Sequence, residues 1–275
     1  MQSIASQRAA ATLSAILAAA ALTAMPAWAA DSKATAPNGT TEKSFWQDFD
    51  LTVGAAAGVG PDYEGADSYE AAALPFFELS WRDRIFVGLD GIRALNPLTE
   101  NIRIGPLLSY DGGRDEDDDD DLDGLGDVDG SITLGVVAEM TFGPYQFGAR
   151  VEKAVDGHTG WSAALSAGRN FQISERLSLN LALETSLADE DYMNDFFGIT
   201  ALQSERSGLS RFDADAGFKD VGVSLGLNYA LTDNWLLFAS TGYTRLVGDA
   251  ADSPLVEDRG SPDQFSAMLG GAYRF

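Results

Sequence analysis

Residues 220–231 read DVGVSLGLNYAL, and every second residue in this stretch is apolar. The apolar positions are Val221, Val223, Leu225, Leu227, Tyr229 and Leu231. A period of two places these side chains on one face of a β-strand, because successive side chains of a strand point to opposite faces. The stretches 131–142 and 176–187 follow the same pattern. The body of the chain is therefore predicted to be all-β.

Alternation of this kind predicts eleven strands, most of them 10 to 13 residues long. They lie near residues 48–59, 69–81, 84–93, 101–111, 131–142, 145–153, 161–173, 176–187, 220–231, 235–247 and 264–275. Strands in soluble domains are typically about five or six residues long, whereas a tilted strand that crosses a bilayer needs about 9–11. The predicted strands are thus long enough to cross a membrane.

The connections between the strands fall into two classes. Tight turns are predicted at 143–144, 174–175 and 232–234, and long acidic segments at 112–130, 188–218 and 248–263. Short turns at one end and long loops at the other are the plan of an outer-membrane barrel. We therefore predict a transmembrane antiparallel up-and-down β-barrel of about twelve strands, formed by residues 46–275.

The strand count leaves one ambiguity, since bacterial single-chain barrels have an even number of strands. A twelfth strand is predicted at 211–218, where Phe212, Ala214, Ala216 and Phe218 alternate one residue out of step with the strand that follows. Either this segment is a separate strand or a β-bulge joins it to the next one. The two readings put the long loops on different sides of the membrane, so the sequence leaves their sidedness open.

The first residues are predicted to be an export signal. Arg8 precedes an apolar run at 9–25, and Ala27-Trp28-Ala29 follows with the small residues that signal peptidase requires. We expect a signal peptide at 1–29 with cleavage after Ala29, because an apolar run of this length is marginal for a membrane span. Residues 30–45 are small and polar, and are predicted to be a flexible periplasmic leader.

The composition excludes several classes of function. The chain has 42 Asp+Glu against 18 Lys+Arg, a formal net charge of -24, so nucleic acid would repel it. It has no cysteine, which excludes thiolate metal sites and cysteine nucleophiles. The single histidine leaves little room for a zinc site. No cofactor is expected.

One loop is dense in carboxylates and offers candidate ligands for a divalent cation such as Ca²⁺. The candidates are Asp117, Asp119, Asp121, Asp123, Asp127 and Asp129. Their spacing fits neither an EF-hand nor an ordered repeat. A self-repelling, solvated loop is the favoured interpretation.

His158 lies in a predicted loop and is the candidate base of a barrel hydrolase. Such an enzyme would pair the histidine with a serine, for instance Ser186 or Ser162, and with an acid. The sequence shows no strained nucleophile motif. An ordinary exposed histidine is therefore favoured, no catalytic residue is assigned and the protein is predicted not to be an enzyme.

Several longer strings resemble a known family. They are GPDYEG at 60–65, GP at 105–106, GRDED at 113–117, GLGDVDG at 124–130, DYM at 191–193, FGIT at 197–200, RSGL at 206–209, KDV at 219–221 and GDAADSP at 248–254. Together they resemble the MltA-interacting protein (MipA) / OmpV family of outer-membrane proteins. The resemblance implies an outer-membrane barrel without known enzymatic activity, named for a member that scaffolds a murein lytic transglycosylase with a murein synthase.

The predicted function follows from this resemblance. The first hypothesis is a structural or scaffolding protein of the outer membrane, linked to peptidoglycan-remodelling enzymes. The alternative is a small-solute or cation channel, because the predicted inward faces are polar and the protein is acidic. A barrel lipid hydrolase is the remote alternative. The residues themselves name no protein partner.

The last predicted strand ends in aromatic residues. Tyr273 and Phe275 lie on its apolar face, and Phe275 is the final residue of the sequence. A terminal aromatic of this kind resembles the sorting signal that outer-membrane barrels present to their assembly machinery. We therefore expect both residues to act as an assembly signal, with that machinery and outer-membrane lipids as partners.

Replacing Phe275 tests the assembly signal. We expect Phe275→Ala to lower the amount of folded barrel in the outer membrane, because the terminal aromatic would no longer be presented. Heat-modifiable mobility on gels measures the compact form directly. An unchanged amount of compact form would show that Phe275 carries no such signal.

Overall fold

The computed structural model describes residues 48–275, and most of its regular structure is β-strand. The strands are β1 Phe49–Pro61, β2 Tyr69–Trp81, β3 Ile85–Gly88, β4 Gly91–Ala94, β5 Asn96–Pro97, β6 Ile102–Asp111, β7 Ser131–Phe142, β8 Tyr145–Ala154, β9 Trp161–Gln172, β10 Leu177–Ala188, β11 Gly217–Ala230, β12 Trp235–Leu246 and β13 Asp263–Arg274. They form one antiparallel sheet. The predicted signal peptide, its cleavage site at Ala29 and the predicted leader at 30–45 lie outside the described residues.

The sheet closes on itself into a barrel. β1 pairs with both β2 and β13, which joins the first strand to the last. β4 and β5 pair with β6 in succession, at Leu108 and at Ile104, so the two form one strand interrupted at Leu95. Counted in this way, the described residues form a closed antiparallel barrel of twelve strands. The predicted architecture and the even strand number are both confirmed.

The twelfth strand arises where the sequence predicted a single one. Residues 84–93 form the β3–β4 hairpin instead of one strand. The hairpin turns at Leu89-Asp90 and continues at Gly91, whose φ of 105° is open to glycine but strained for other residues. The residues Gly88, Asp90 and Gly91 favour a turn. They lie inside an alternating run, so the pattern was interpreted as one strand.

The separate strand predicted at 211–218 is not formed. Phe212 makes only an isolated bridge with Ile199, and Gly217 already begins β11. The shift of phase comes from a bulge: Ser186 lies opposite Asp220 while the next residue, Leu187, lies opposite Phe218. Lys219 is therefore the extra residue of a β-bulge. Of the two alternatives that the sequence left open, the bulge is correct.

All the long connections lie at one end of the barrel. Loops 62–68, 112–130, 155–160, 189–216 and 247–262 join the strands there. The tight connections 82–84, 98–101, 143–144, 173–176 and 231–234 lie at the opposite end, together with the start of β1 and the end of β13. The β3–β4 turn at Leu89-Asp90 is the exception among the described residues, because it points toward the long loops. In outer-membrane barrels the short turns are periplasmic and the long loops extracellular, and this assigns the sidedness that the sequence left open.

Four helices interrupt the long loops. They are α1 Glu190–Phe197, α2 Ala201–Ser207, α3 Asp249–Asp252 and α4 Pro254–Arg259, and loop 112–130 adds two short 3₁₀ turns at Glu116–Asp118 and Asp120–Leu122. Within residues 48–275, no helix has the length and apolar character needed to cross a membrane.

The burial pattern of the strands is that of a membrane barrel. Leu225 and Leu134 point outward and are 37% and 52% exposed, whereas the inward residue Asn228 is 3% exposed. A soluble sandwich would bury its apolar face, so an exposed apolar band indicates a surface that contacts lipid. Aromatic residues lie near the turn end of this band, for example Trp235 beside Tyr273 at 5.2 Å between ring centroids.

Paired substitutions separate the lipid face from the lumen face. We expect Leu225→Arg to cost roughly 2–4 kcal/mol of folding stability, because it places a charge at mid-strand against lipid. The matched variant Ser224→Arg faces the lumen, where Ser224 donates to Glu184 at 2.7 Å, and should cost much less. Unfolding in urea, followed by heat-modifiable mobility, measures both. Equal losses would contradict the assignment of the two faces.

Candidate functional site

The long loops fold together into a cap with its own hydrophobic core. One cluster of apolar side chains joins Tyr63 and Ala66 of loop 62–68 to members of three other loops. Those members are Leu122, Leu125, Ile199, Leu209 and Leu255. The loops start from strands on different sides of the barrel, so a shared core can form only if they meet above the lumen. The cap therefore covers the extracellular end of the barrel.

A second cluster anchors the cap to the barrel rim. It joins α1, the end of β10, the end of β12 and helices α3 and α4. Its buried residues are Ala188, Tyr192, Met193, Phe196, Phe197, Ala214, Leu246, Ala250 and Val256. Burial of side chains such as Phe197, which is 1% exposed, stabilises each by about 1.5–3 kcal/mol relative to exposure. The cap is thus a packed structure.

Local signals in loop 189–216 start and stop its helices. Asp189 caps α1 by accepting a hydrogen bond from the amide of Tyr192, and Thr200 and Gln203 form a reciprocal capping box at the start of α2. Gly208 ends α2 in the left-handed conformation. The sequence predicted this segment only as a long acidic loop. The spacing Thr-x-x-Gln was the signal that could have revealed the helix.

A buried ion-pair cluster lies where the cap meets the lumen. The bulge residue Lys219 reaches Glu64 of loop 62–68 at 2.7 Å and lies 3.9 Å from Asp220. Its ammonium group also sits over the ring of Tyr192 at 5.2 Å. Ser186 donates a hydrogen bond to Asp220. The bulge therefore aims a cation at a carboxylate of another loop and ties β11 to the cap.

Arg114 is buried in the same cap. Its guanidinium donates to the carbonyl of Phe196 at 2.9 Å, and burial lowers the pKa of Arg114 to about 10. The group remains charged at neutral pH. A backbone bridge between Arg114 and Val128 fixes its position at the base of loop 112–130.

His158 is buried against the cap, contrary to the exposed histidine that the sequence favoured. It is 5% exposed and meets Phe196 and Tyr192 edge-on, at 5.2 and 5.9 Å between ring centroids. Its Nε2 lies 3.5 Å from Asp111 Oδ2. Burial alone would lower the pKa of His158, but the nearby carboxylate of Asp111 outweighs burial and raises it. The aromatic side chains of α1 cover His158 and cause its burial. They belong to loop 189–216, so the sequence around His158 does not reveal them.

His158 has other neighbours than the two serines considered from the sequence. Its hydrogen-bonding groups face Asp111 and the carbonyl of Thr159, while Ser186 donates to Asp220. Among the described residues, no hydrogen bond joins His158 to Ser186 or Ser162. The hydrolase arrangement considered from the sequence is thus not assembled around this histidine.

The lumen wall carries paired charges. Arg103 lies 2.5 Å from Glu139, and Arg150 binds Glu152, which also accepts from Ser109 and Thr133. Nearer β13, Arg274 lies 2.9 Å from Asp50. Arg93 on β4 binds Asp90 and lies 3.5 Å from Glu78. These pairs are distributed around the wall and hold its long side chains in place.

The carboxylates of loop 112–130 bind mainly the loop's own backbone. Asp119 accepts from the amide of Asp121 and from the hydroxyl of Ser68, and Asp127 accepts from the amide of Glu116. Over residues 48–275, the structure gathers no group of three or more acidic or histidine side chains suited to a metal ion. A cation site at Asp117, Asp119, Asp121, Asp123, Asp127 or Asp129 stays a prediction.

The predicted assembly residues lie on the outer surface at the periplasmic end. The ring of Tyr273 contacts that of Phe275 at 4.9 Å between centroids, and the amide of Phe275 donates to Leu51 of β1 at 3.0 Å. Phe275 is 72% exposed. Their position suits recognition from the membrane, and the assembly role stays a prediction.

A family model described as MltA-interacting protein MipA matches residues 53–275. The match covers the whole barrel except the start of β1. The chain belongs to the MipA family. The resemblance found in the sequence is thus confirmed.

Two curated relatives come from Escherichia coli, one from strain K12 and one from O157:H7, and both are named "Putative outer membrane protein YiaT". Each is 33% identical over 121 residues, which is 44% of this chain and 47% of the relative. The match thus spans about half the length of these relatives. With the fold and the family, it places this MipA-family barrel in the outer membrane.

Solved porin structures also resemble the barrel. A NanC porin structure covers 81% of this chain and 98% of its own chain, with 10% identity and a TM-score of 0.43. A KdgM porin covers 82% and 99%, with 8% identity and a TM-score of 0.41. Likeness at this level carries no argument about what this chain binds or conducts. The family and the barrel architecture are those of an outer-membrane barrel.

The raised pKa of His158 predicts that the cap loosens as the pH rises. A group whose folded pKa lies above its unfolded value stabilises the fold fully below the unfolded value, about 6.5 for histidine, and this contribution is lost as the pH rises through the folded value. We expect protease cleavage of loop 112–130 to be faster at pH 8 than at pH 6. The variant His158→Gln should flatten this dependence. The same pH dependence in both proteins would contradict the assignment to His158.

Proposed function

We propose that this protein is a non-conducting structural barrel that holds peptidoglycan-remodelling enzymes at the inner side of the outer membrane. The single observation that carries the proposal is the packed cap over the extracellular end of the lumen. A barrel whose lumen stays closed on the outside passes no solute, and its proposed role is that of a membrane anchor. Its partners are then proteins of the periplasm.

The construction of the cap supports a closed lumen. A solute path needs a water-filled passage lined by polar groups, whereas apolar side chains from four loops meet above this lumen. Beneath them, Lys219 and Glu64 form an ion pair between β11 and loop 62–68. Opening the cap would break this pair and expose its apolar core.

The family supports the kind of partner. The matched family is named for interaction with MltA, a murein transglycosylase. For this chain we propose a murein lytic transglycosylase as direct partner, with a murein synthase bound through the same assembly. Among the described residues, the surface available to both consists of the tight turns at the periplasmic end, such as Arg82–Arg84.

Single-channel recording tests the closed lumen. We expect the wild-type protein in planar bilayers to show no discrete conductance steps. The variant Phe197→Glu places a charge in the second cluster, which anchors the cap to the rim, and should open a conducting path. The variant Leu202→Glu, at a residue 55% exposed on α2, should show no conductance. Steps of equal size in all three proteins would favour the alternative, a small cation channel.

Binding of a lytic transglycosylase tests the scaffold role. We expect the barrel, reconstituted in nanodiscs, to bind a purified transglycosylase of the MltA type when its periplasmic face is accessible. The variant Phe197→Glu should bind equally well, because the cap lies at the other end. If a folded, non-conducting barrel does not bind the transglycosylase, the scaffold role is wrong. The conclusion that the lumen is closed would not be affected.

A further inference from the structure

The barrel wall has an opening on one side. β3 pairs with β2 only from Leu79 to Trp81 and ends at Gly88. Within the described residues, the extracellular part of β2, from Tyr69 to Glu78, pairs with β1 on one edge and with no strand on the other. The pairing of β4 with β6 likewise stops at Leu108, three residues before β6 ends. The short β3–β4 hairpin thus leaves a gap between β2 and β6 on the extracellular side of its turn.

The gap opens among outward-facing, apolar residues on the extracellular side of the hairpin. The outward residues of β2 along it are Ala71, Ala73, Pro75 and Phe77, all apolar and exposed. From Tyr69 to Phe77 the unpaired edge is roughly 25 Å long, at about 3.3 Å per residue. The edge therefore runs through much of the membrane thickness above the hairpin.

The backbone along this edge lacks a strand partner. The carbonyl of Trp81 accepts from Arg84 across the edge at 3.0 Å, and backbone groups that point to one neighbour recur every second residue. Ala71, Ala73 and Phe77 thus direct amides and carbonyls into the gap, whereas Pro75 has no amide to direct there. An open edge of this kind is stable in a membrane only where water or another polar group reaches it.

The inner wall beside the gap is apolar from Ala72 to Phe76, between the inward residues Glu70 and Glu78. Met268 of β13 is 6% exposed and packs against Ala56, Ala72, Leu74 and Phe238. The ring of Phe76 meets that of Phe238 edge-on at 5.7 Å between centroids. Barrel interiors are usually polar, and the opposite wall follows this rule with its Arg–Glu pairs. The lumen therefore has one apolar region, and that region adjoins the gap.

Glycines allow this apolar surface to lie along the wall. The ring of Phe76 sits over Gly54, and the ring of Phe238 over Gly270, at positions that a Cβ atom would occupy. Both rings can thus lie directly on the strands instead of projecting across the lumen. The apolar patch, defined as Ala56, Ala72, Leu74, Phe76, Phe238 and Met268, is a surface built into the wall.

We propose that an amphiphile of the outer leaflet enters the barrel sideways through this gap and lays an alkyl chain on the apolar patch. Its alkyl chain would pack on the apolar patch. Hydroxyl or amide groups near its head, or water bound to them, would form hydrogen bonds with the unpaired backbone groups of β2. This site is separate from the closed extracellular end, since access is from the membrane. This proposal does not depend on the scaffold role.

Quenching by brominated alkyl chains tests the site, and the absence of native cysteines makes each introduced cysteine unique. Leu74→Cys carries a bimane label inside the lumen, and Ala73→Cys carries it on the lipid side. Ser224→Cys carries it on the inner face of β11, outside the patch and four residues along the strand from the position opposite Phe238. The labelled proteins are folded into bilayers of brominated phosphatidylcholine, or into ordinary bilayers to which bromostearic acid is added. Heat-modifiable mobility confirms folding, and Ala72→Cys replaces Leu74→Cys if the latter does not fold.

We expect the label at position 74 to lose at least half as much fluorescence as the label at 73, and the label at 224 to lose less than about a tenth as much. Quenching by phosphatidylcholine identifies a leaflet lipid as the ligand, and quenching by bromostearic acid alone identifies a free amphiphile. Both results support the proposal. Quenching at 74 no greater than at 224 overturns it. Shielding of position 73 from lipid, or disulfide crosslinking of Ala73→Cys between copies, also overturns it, because a strand would then cover the edge.

Discussion

Backbone hydrogen bonding inside the membrane is the constraint on which the structure depends. Hydrocarbon offers no partner for an amide or carbonyl, so a sheet can cross it only by closing on itself. Closure requires that β1 meet β13 and that every strand keep its register, from Val59 opposite Ala267 to Thr52 opposite Arg274 along that seam. The period of two, the strand length and the even strand number all follow from this requirement. The β2 edge is the place where the requirement is relaxed.

Much of this barrel could be predicted from the sequence because its rules are local. Alternation assigns a face to each residue of a strand, and the tight and long connections indicate the two ends. The prediction failed where a turn lies inside a strand-like run, as at Leu89-Asp90, because a hairpin with four-residue arms has the same alternation as one strand. It also left the bulge at Lys219 undecided, since a single extra residue changes the phase without revealing which strand it opposes.

The cap could not be predicted in the same way. Its core joins residues from loops that are far apart in the sequence, such as Ala66 and Leu255, and each loop alone appears as an acidic, solvated segment. His158 illustrates the point: its burial depends on Tyr192 and Phe196, which belong to another loop. The carboxylates that dominate loop 112–130 supply backbone caps and turns, for instance at Asp115 and Asp119. Their abundance reflects the many turns of the loop.

The shared core of the cap also fixes the order of events in folding. Its contacts link the β1–β2 loop to the β12–β13 loop, and these come together only when the first and last strands have paired. The cap therefore completes after the wall, as expected for contacts of high sequence separation. Until then its apolar side chains are separated on loops that carry many negative charges, and mutual repulsion keeps these loops from collapsing on one another prematurely. The negative charge of these loops thus bears on the order in which the barrel and its cap assemble.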